Sequence, residues 1–273
     1  MCSKQMFIRL CLLFCSLPCF SQPILTAVGA RAAAMGSCAV SQCDAWGVFN
    51  NQAALAYQGA FSLGAALENR YLLEETGRIS LGGGLKAGRG GLFAGIDHFG
   101  DHLYSEMKAG AGYALKLGGK VAAGLQLDYL RMAIGDGYGS YHAFTLEGGI
   151  LAFPSEKVTL GVHCFNPVSA GWMGTAEKLP IMLRAGASYT PEESISICAE
   201  ILKSTAVKAI VSIGCEYRYE ERFFIRAGIS SSVTSVSFGA GYRRKNMQVD
   251  IAASWHAYLG FAPQLSFTFN KQQ

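Results

Sequence analysis

From about residue 60 to the C-terminus, apolar residues alternate with small or polar ones in segments of roughly ten residues. Met247, Val249, Ile251, Ala253 and Trp255 alternate with Gln248, Asp250, Ala252, Ser254 and His256, and the same period runs through Val211 to Arg218 and Val236 to Arg243. A period of two marks a strand, because successive side chains point to opposite faces. The alternation predicts strands near 60–69, 78–87, 90–98, 104–117, 120–133, 141–153, 157–165, 180–190, 194–203, 208–219, 222–230, 233–243, 246–256 and 260–270. That is about fourteen, an even number. Pro263 within the last of them implies a strand start or a bulge. Short links such as Gly118-Gly119, Ser231-Ser232 and Lys245-Asn246 favour an antiparallel up-and-down meander, with longer loops at 134–140 and 166–179.

A soluble β-sandwich would also alternate, so the exterior has to be decided by composition and targeting. Half of the 273 residues are apolar (51%) and only 15% are charged. At the N-terminus, Lys4 and Arg9 precede an apolar run, Leu10 to Phe20, that is broken by Pro18 and followed by Ser21-Gln22. This is the layout of a secretory signal peptide over 1–22, and the run is too short for a spanning helix, which needs about 20 apolar residues. Phe14 and Pro18 ahead of Cys15 and Cys19 speak against lipidation there. An exported, apolar chain with no later helical span, alternating in every strand, is expected to be an all-β transmembrane barrel of the outer membrane over 60–273, with outer-membrane lipid around it. Aromatics near strand ends, among them Tyr71, Tyr104, Tyr129, Trp172, Tyr189, Tyr219, Trp255 and Tyr258, fit interfacial girdles. The formal charge of +4 is too small and too dispersed for a nucleic-acid partner. Cys38, Cys43, Cys164, Cys198 and Cys215 follow no metal-ligand spacing. A Cys38–Cys43 bridge is open in an oxidising periplasm, whereas Cys198 and Cys215 fall on opposite faces of their strands.

Residues 23–59 do not alternate. Their alanines favour short helical turns, and a compact segment ahead of a barrel is expected to form a hatch or plug inside the lumen. Inner-face glycines (Gly82, Gly84, Gly95, Gly110, Gly112 and Gly124) would let it approach the wall. The run Gly29-Ala30-Arg31-Ala32-Ala33-Ala34-Met35-Gly36, Asp44, and Asn50-Asn51-Gln52-Ala53-Ala54-Leu55-Ala56 resemble the start of the PorV/PorQ family of outer-membrane proteins. Where that family usually has Asn-Pro-Ala-Gly-Leu-Ala, this chain has Asn51-Gln52-Ala53-Ala54-Leu55-Ala56. The family is similar in turn to long-chain fatty-acid transporter (FadL-like) barrels, so the resemblance implies fourteen strands and an N-terminal hatch. Hatch candidates are Gly29, Arg31, Met35, Gly36, Asp44, Asn50, Asn51 and Leu55.

The chemistry is sparse. Ser254 and His256 share a face but stand about 7 Å apart along the strand, too far for a nucleophile–base pair. His98, His102, His142 and His163 fall on separate elements, and Gly82-Gly83-Gly84 opens no helix, so neither a metal site, a cofactor site nor a nucleotide loop is expected. The chain is therefore read as a non-enzyme. Charges of both signs fall on inner faces or at their ends: Glu68, Arg70, Arg78, Lys86, Asp97, Glu106, Lys108, Lys116, Asp128, Glu147, Arg184, Glu200, Glu216, Arg218, Arg226 and Asp250. Mixed signs favour cross-strand pairs bracing a filled lumen over a selective ion pore, with Arg31 and Asp44 as partners for the wall. Two functions follow from the architecture and the resemblance. One is movement of hydrophobic small molecules across or into the outer membrane. The alternative is a non-transporting accessory that binds exported proteins in a type IX-like secretion system.

Overall fold

The computed structural model describes residues 26–232 and 235–271; the expected signal peptide, 1–22, lies outside the described residues. Fourteen strands form one sheet: β1 (Phe61–Asn69), β2 (Gly77–Ala87), β3 (Gly90–Gly100), β4 (Tyr104–Lys116), β5 (Val121–Ile134), β6 (Gly139–Ser155), β7 (Val158–Phe165), β8 (Met182–Glu192), β9 (Ile195–Ser204), β10 (Ile210–Tyr219), β11 (Phe223–Ser230), β12 (Ser235–Arg244), β13 (Met247–His256) and β14 (Gly260–Lys271). Each pairs antiparallel with its neighbours in sequence, and β14 returns to pair with β1, closing the barrel. Closure leaves no edge strand, which is what a strand-built protein needs where no water can satisfy free backbone groups.

Strand ends differ from the expected bounds by no more than two residues. β6 and β8 run past their predicted ends because the register shifts between Ala152 and Ser155 and between Tyr189 and Glu192. Pro154 and Pro191 lie in these irregular stretches, where a missing N–H is tolerated and strict alternation is lost. Pro263 needs no bulge: β1 pairs with β14 only as far as Glu68 opposite Gln264, so Pro263 has a partner strand on one side, where it faces Ala253.

The exterior is a belt of half-exposed Leu, Ile, Val and Phe side chains, among them Leu81, Leu127, Ile150, Ile213, Phe238 and Ile251. In water such a surface would drive aggregation; against acyl chains it is matched. Two of the expected girdle aromatics face elsewhere. The Tyr104 hydroxyl bonds Glu106 inside the barrel, and Trp172 packs on the cluster of Leu130, Phe165, Leu179 and Met182. Short links at 88–89, 156–157, 193–194 and 245–246 share one end of the barrel with the start of β1 and the end of β14. The longer connections at 70–76 and 166–181 share the other.

Residues 26–60 make no strand pairing with the wall and lie inside it. They form a helical turn α1 (Ala30–Ala34), a second turn α2 (Gly47–Asn50) and a 3-10 stretch, Gln52–Tyr57. α1 packs along β11–β14, and the 3-10 stretch along β3–β6.

Candidate functional site

The segment crosses the lumen from end to end. Thr26 Oγ1 accepts hydrogen bonds from Arg70 Nη2 and Arg78 Nη1, both 2.7 Å, at the long-loop end. Gln58 Oε1 accepts from Ser62 Oγ at 2.6 Å, where β1 starts at the short-link end. A chain lying across a wall without strand pairing needs other contacts to hold it and to satisfy its backbone groups, and this segment is held at four places.

The first is a relay of charges. Arg31 grips Glu216 with two parallel bonds, Nε to Oε2 at 3.0 Å and Nη2 to Oε1 at 2.9 Å, and reaches Asp44 at 3.4 Å. Glu216 also takes Arg226 Nε at 2.6 Å, and Arg226 Nη1 continues to Asp250 at 2.7 Å. Burial opposes the Arg31 charge, but Glu216 and Asp44 outweigh it and raise the guanidinium pKa. At Asp44 the balance is reversed: burial outweighs the attraction of Arg31 and raises the carboxyl above its ordinary range.

The second is a carboxylate held by backbone. Glu200 Oε2 accepts from two consecutive amides, Ala39 N at 2.7 Å and Val40 N at 2.9 Å, while its Oε1 takes Arg184 Nε at 2.6 Å. Successive N–H groups converging on one oxygen form an anion-binding concavity, here turned upon the protein's own wall. Ser41 and Ser188 hydroxyls meet at 2.7 Å just beyond.

The third comes from the Asn50-Asn51-Gln52 run. Asn50 exchanges bonds with both backbone groups of Val28, at 3.0 and 2.9 Å, folding the segment upon itself. Asn51 Oδ1 accepts Ala53 N as the cap of the 3-10 stretch, and its Nδ2 donates to Val40 O at 2.6 Å with the Ile150 and Val162 carbonyls of the wall within reach. Gln52, standing where the PorV/PorQ pattern has proline, donates to Glu147 Oε1 at 2.9 Å. Lys108 Nζ and Gln126 Nε2 converge on the same oxygen at 2.8 and 2.6 Å, with His163 at 3.2 Å from the other.

The fourth is apolar. Trp46, Val48, Phe49, Ala53 and Leu55 bury themselves against Ala66, Phe93, Ala114, Ala122 and Leu151. Gly82 and Gly95 make this possible, because a Cβ on either would stand within 2.7 Å of Val48 or Phe49. Gly84 and Gly124 lie likewise under Gln58 and Gln52, whereas Gly110 and Gly112 accommodate wall side chains.

Of the wall charges named from sequence, Glu147, Arg184, Glu200, Glu216, Arg226 and Asp250 belong to these contacts, directly or one bond removed. Asp97 holds Arg78 with bonds of 2.7 to 3.1 Å, Glu68 bonds Arg70 at 2.9 Å, and Asp128 lies 3.9 Å from Lys108. Lys86 sits exposed at the short-link mouth, where it lines a cavity with Ala56 and Gln58 of the segment and Arg89 of the wall. Met35 and Gly36 press on Gly214 and Gly228, and Gly36 N donates to Ser237 Oγ at 2.9 Å. Gly29, at φ 99°, lies under the Trp46 ring, and Leu55 is fully buried. Cys38 and Cys43 are both free: Cys38 turns into the wall and Cys43 out to a cavity, so the bridge open to sequence reasoning is not formed. Gly214, Gly228 and Ser237 were missed, although the inner phase of β10–β12 contained the signal.

On either side of the segment a polar cavity remains. One of about 320 Å³ at the short-link mouth is lined by Arg31, Cys43, Asp44, Arg243 and Gln248, and one of about 170 Å³ at the long-loop mouth by Thr26, Glu68, Tyr71, Ser254 and His256. His256 Nδ1 faces the amides of Tyr258 and Leu259, so it is engaged in the β13–β14 turn.

No protein-family model and no curated protein matches the chain. Solved structures do. The Pseudomonas putida toluene transporter TodX superposes with a TM-score of 0.68 at 14% identity, over 91% of this chain and 100% of that one. The Ralstonia pickettii toluene transporter TbuX gives 0.67 at 15%, over 90% and 99%, and a Pseudomonas aeruginosa FadL homologue 0.63 at 12%, over 89% and 98%. The chain has a FadL-like fold. The FadL-like barrels it superposes on are described as channels and transporters, not as enzymes. A closed barrel with this lipid-matched exterior is the architecture of outer-membrane proteins.

Proposed function

We propose that this FadL-like barrel is a passive conduit for hydrophobic small molecules across or into the outer membrane, with residues 26–60 as its hatch. The observation that carries the reading is how the segment is held. It separates two cavities and is attached to the wall by side-chain bonds and apolar contact, with no shared strand ladder. Such contacts can be exchanged one by one, whereas inserting a strand into the sheet would make the obstruction part of the wall. Its structural neighbours include a toluene transporter and a monoaromatic hydrocarbon channel, which supports the same substrate class. The finer PorV/PorQ-type assignment rests on Gly29 to Ala56. The accessory role with exported proteins has no separate observation in its favour and ranks second.

Reconstitution tests the reading. Liposomes containing the barrel should take up toluene or a labelled fatty acid faster than protein-free liposomes. Equal rates, with the barrel shown to be folded and inserted, would overturn it.

A further inference from the structure

Cys38 and Cys198 are a pair that neither the fold nor the proposed transport accounts for. Both are buried to about 1%, one on the inner segment and one on β9, and with Met35 they form a closed apolar cluster. The Cys38 thiol lies 3.9 Å from the Cys198 carbonyl oxygen, and the two side chains share one buried cluster. Its contact with Cys198 and burial raise the Cys38 pKa above the ordinary thiol range.

The neighbouring contacts fix the alignment. Ala39 N and Val40 N hold Glu200, two residues along β9 from Cys198 on the same face, and Ser41 meets Ser188, the residue paired with Cys198 across the β8–β9 ladder. On the other side Met35 rests on Gly214, which pairs with Cys198 from β10. The segment is thus pinned before and after Cys38, in a register that keeps Cys38 packed on Cys198.

We propose that Cys38 and Cys198 are an oxidative cross-linking site, at which a disulfide joins the inner segment to the barrel wall. Two S–H bonds break and one S–S bond forms; the two electrons and two protons pass to a disulfide oxidant of the glutathione or thiol–disulfide oxidoreductase class, which leaves as two thiols. An exported chain meets such oxidants on its way to the outer membrane. Because both thiols are buried once the segment is in place, the exchange takes place while the segment is docking. The bond would tie residue 38 to β9, so that the segment could rearrange on either side of it but not leave the lumen. The inference stands on the thiol geometry and holds whether or not the barrel transports.

The test is peptide mapping of the full chain, exported and folded in an oxidising periplasm, then unfolded in N-ethylmaleimide without reductant. A peptide pair joined through Cys38 and Cys198 is expected, two hydrogens lighter than its dithiol form and separable by reductant, with maleimide on Cys43, Cys164 and Cys215. Maleimide on both Cys38 and Cys198, or either of them joined to a different cysteine, overturns the proposal. Cys38→Ser and Cys198→Ser should each abolish the joined pair. The mapping of the unsubstituted chain decides the matter even where a variant folds poorly.

Discussion

The two halves of the inner segment are held in different ways. Residues 26–42 are bound by directional contacts: Arg31 on Glu216, Ala39 and Val40 on Glu200, and Gly36 on Ser237. Residues 46–57 mainly fill space, with Trp46, Val48, Phe49 and Leu55 packed on the wall where Gly82 and Gly95 make room, and with Asn51 and Gln52 adding bonds to the wall. Directional bonds fix where the segment sits, since each is satisfied at one position only. Apolar packing rewards contact area in any arrangement that excludes water, so by itself it would allow sliding. The first half therefore contributes most to the register, and the second mostly fills the space around Trp46, Phe49 and Leu55.

The largest expected effect is on the register half. Glu216→Ala strips both Arg31 and Arg226 of a buried partner and should cost about 3–5 kcal/mol, as removal of one member of a buried ion pair does. It should also free residues 26–42 for proteolysis while the barrel persists. Thermal unfolding in detergent and limited proteolysis check it, and an unchanged digestion pattern would show that apolar packing alone can hold the position. A smaller loss is expected on the space-filling half. Gly82→Val drives a side chain into Val48 and should cost about 1–3 kcal/mol by overpacking. It should raise leak of small solutes into liposomes without releasing residues 26–42.

The smallest effect sharpens the electrostatic side. Asp44 has a folded-state pKa raised above its unfolded value, so the folded chain keeps a proton that the unfolded chain has already lost. Its contribution thus turns unfavourable as pH rises from the ordinary carboxylate value through the raised one, and is constant above. Asp44→Asn should flatten that part of the profile. Midpoints of the two proteins measured between about pH 4 and 7 should diverge with rising pH, in favour of the variant. Parallel curves would mean that Arg31 keeps Asp44 ionised throughout.

Much of this was legible in the chain. The period of two located all fourteen strands, because a wall with lipid on one side and a packed lumen on the other forces alternation at nearly every residue. Its bounds drift by up to two residues at several strand ends, including those next to the bulges at Pro154 and Pro191, where alternation is lost. Mixed charges on the inner phase foretold bracing pairs, since unpaired charges could not remain there.

Partner identity was another matter. Nothing near Arg31 specifies Glu216, 185 residues away, and nothing near Cys38 specifies Cys198 rather than Cys43. Local sequence determines which face a side chain takes, because that depends on the backbone of its own strand. Which residues of the segment meet which wall, and which pockets are left beside it, depends on closing β14 onto β1 around it. Only the closed barrel decided that.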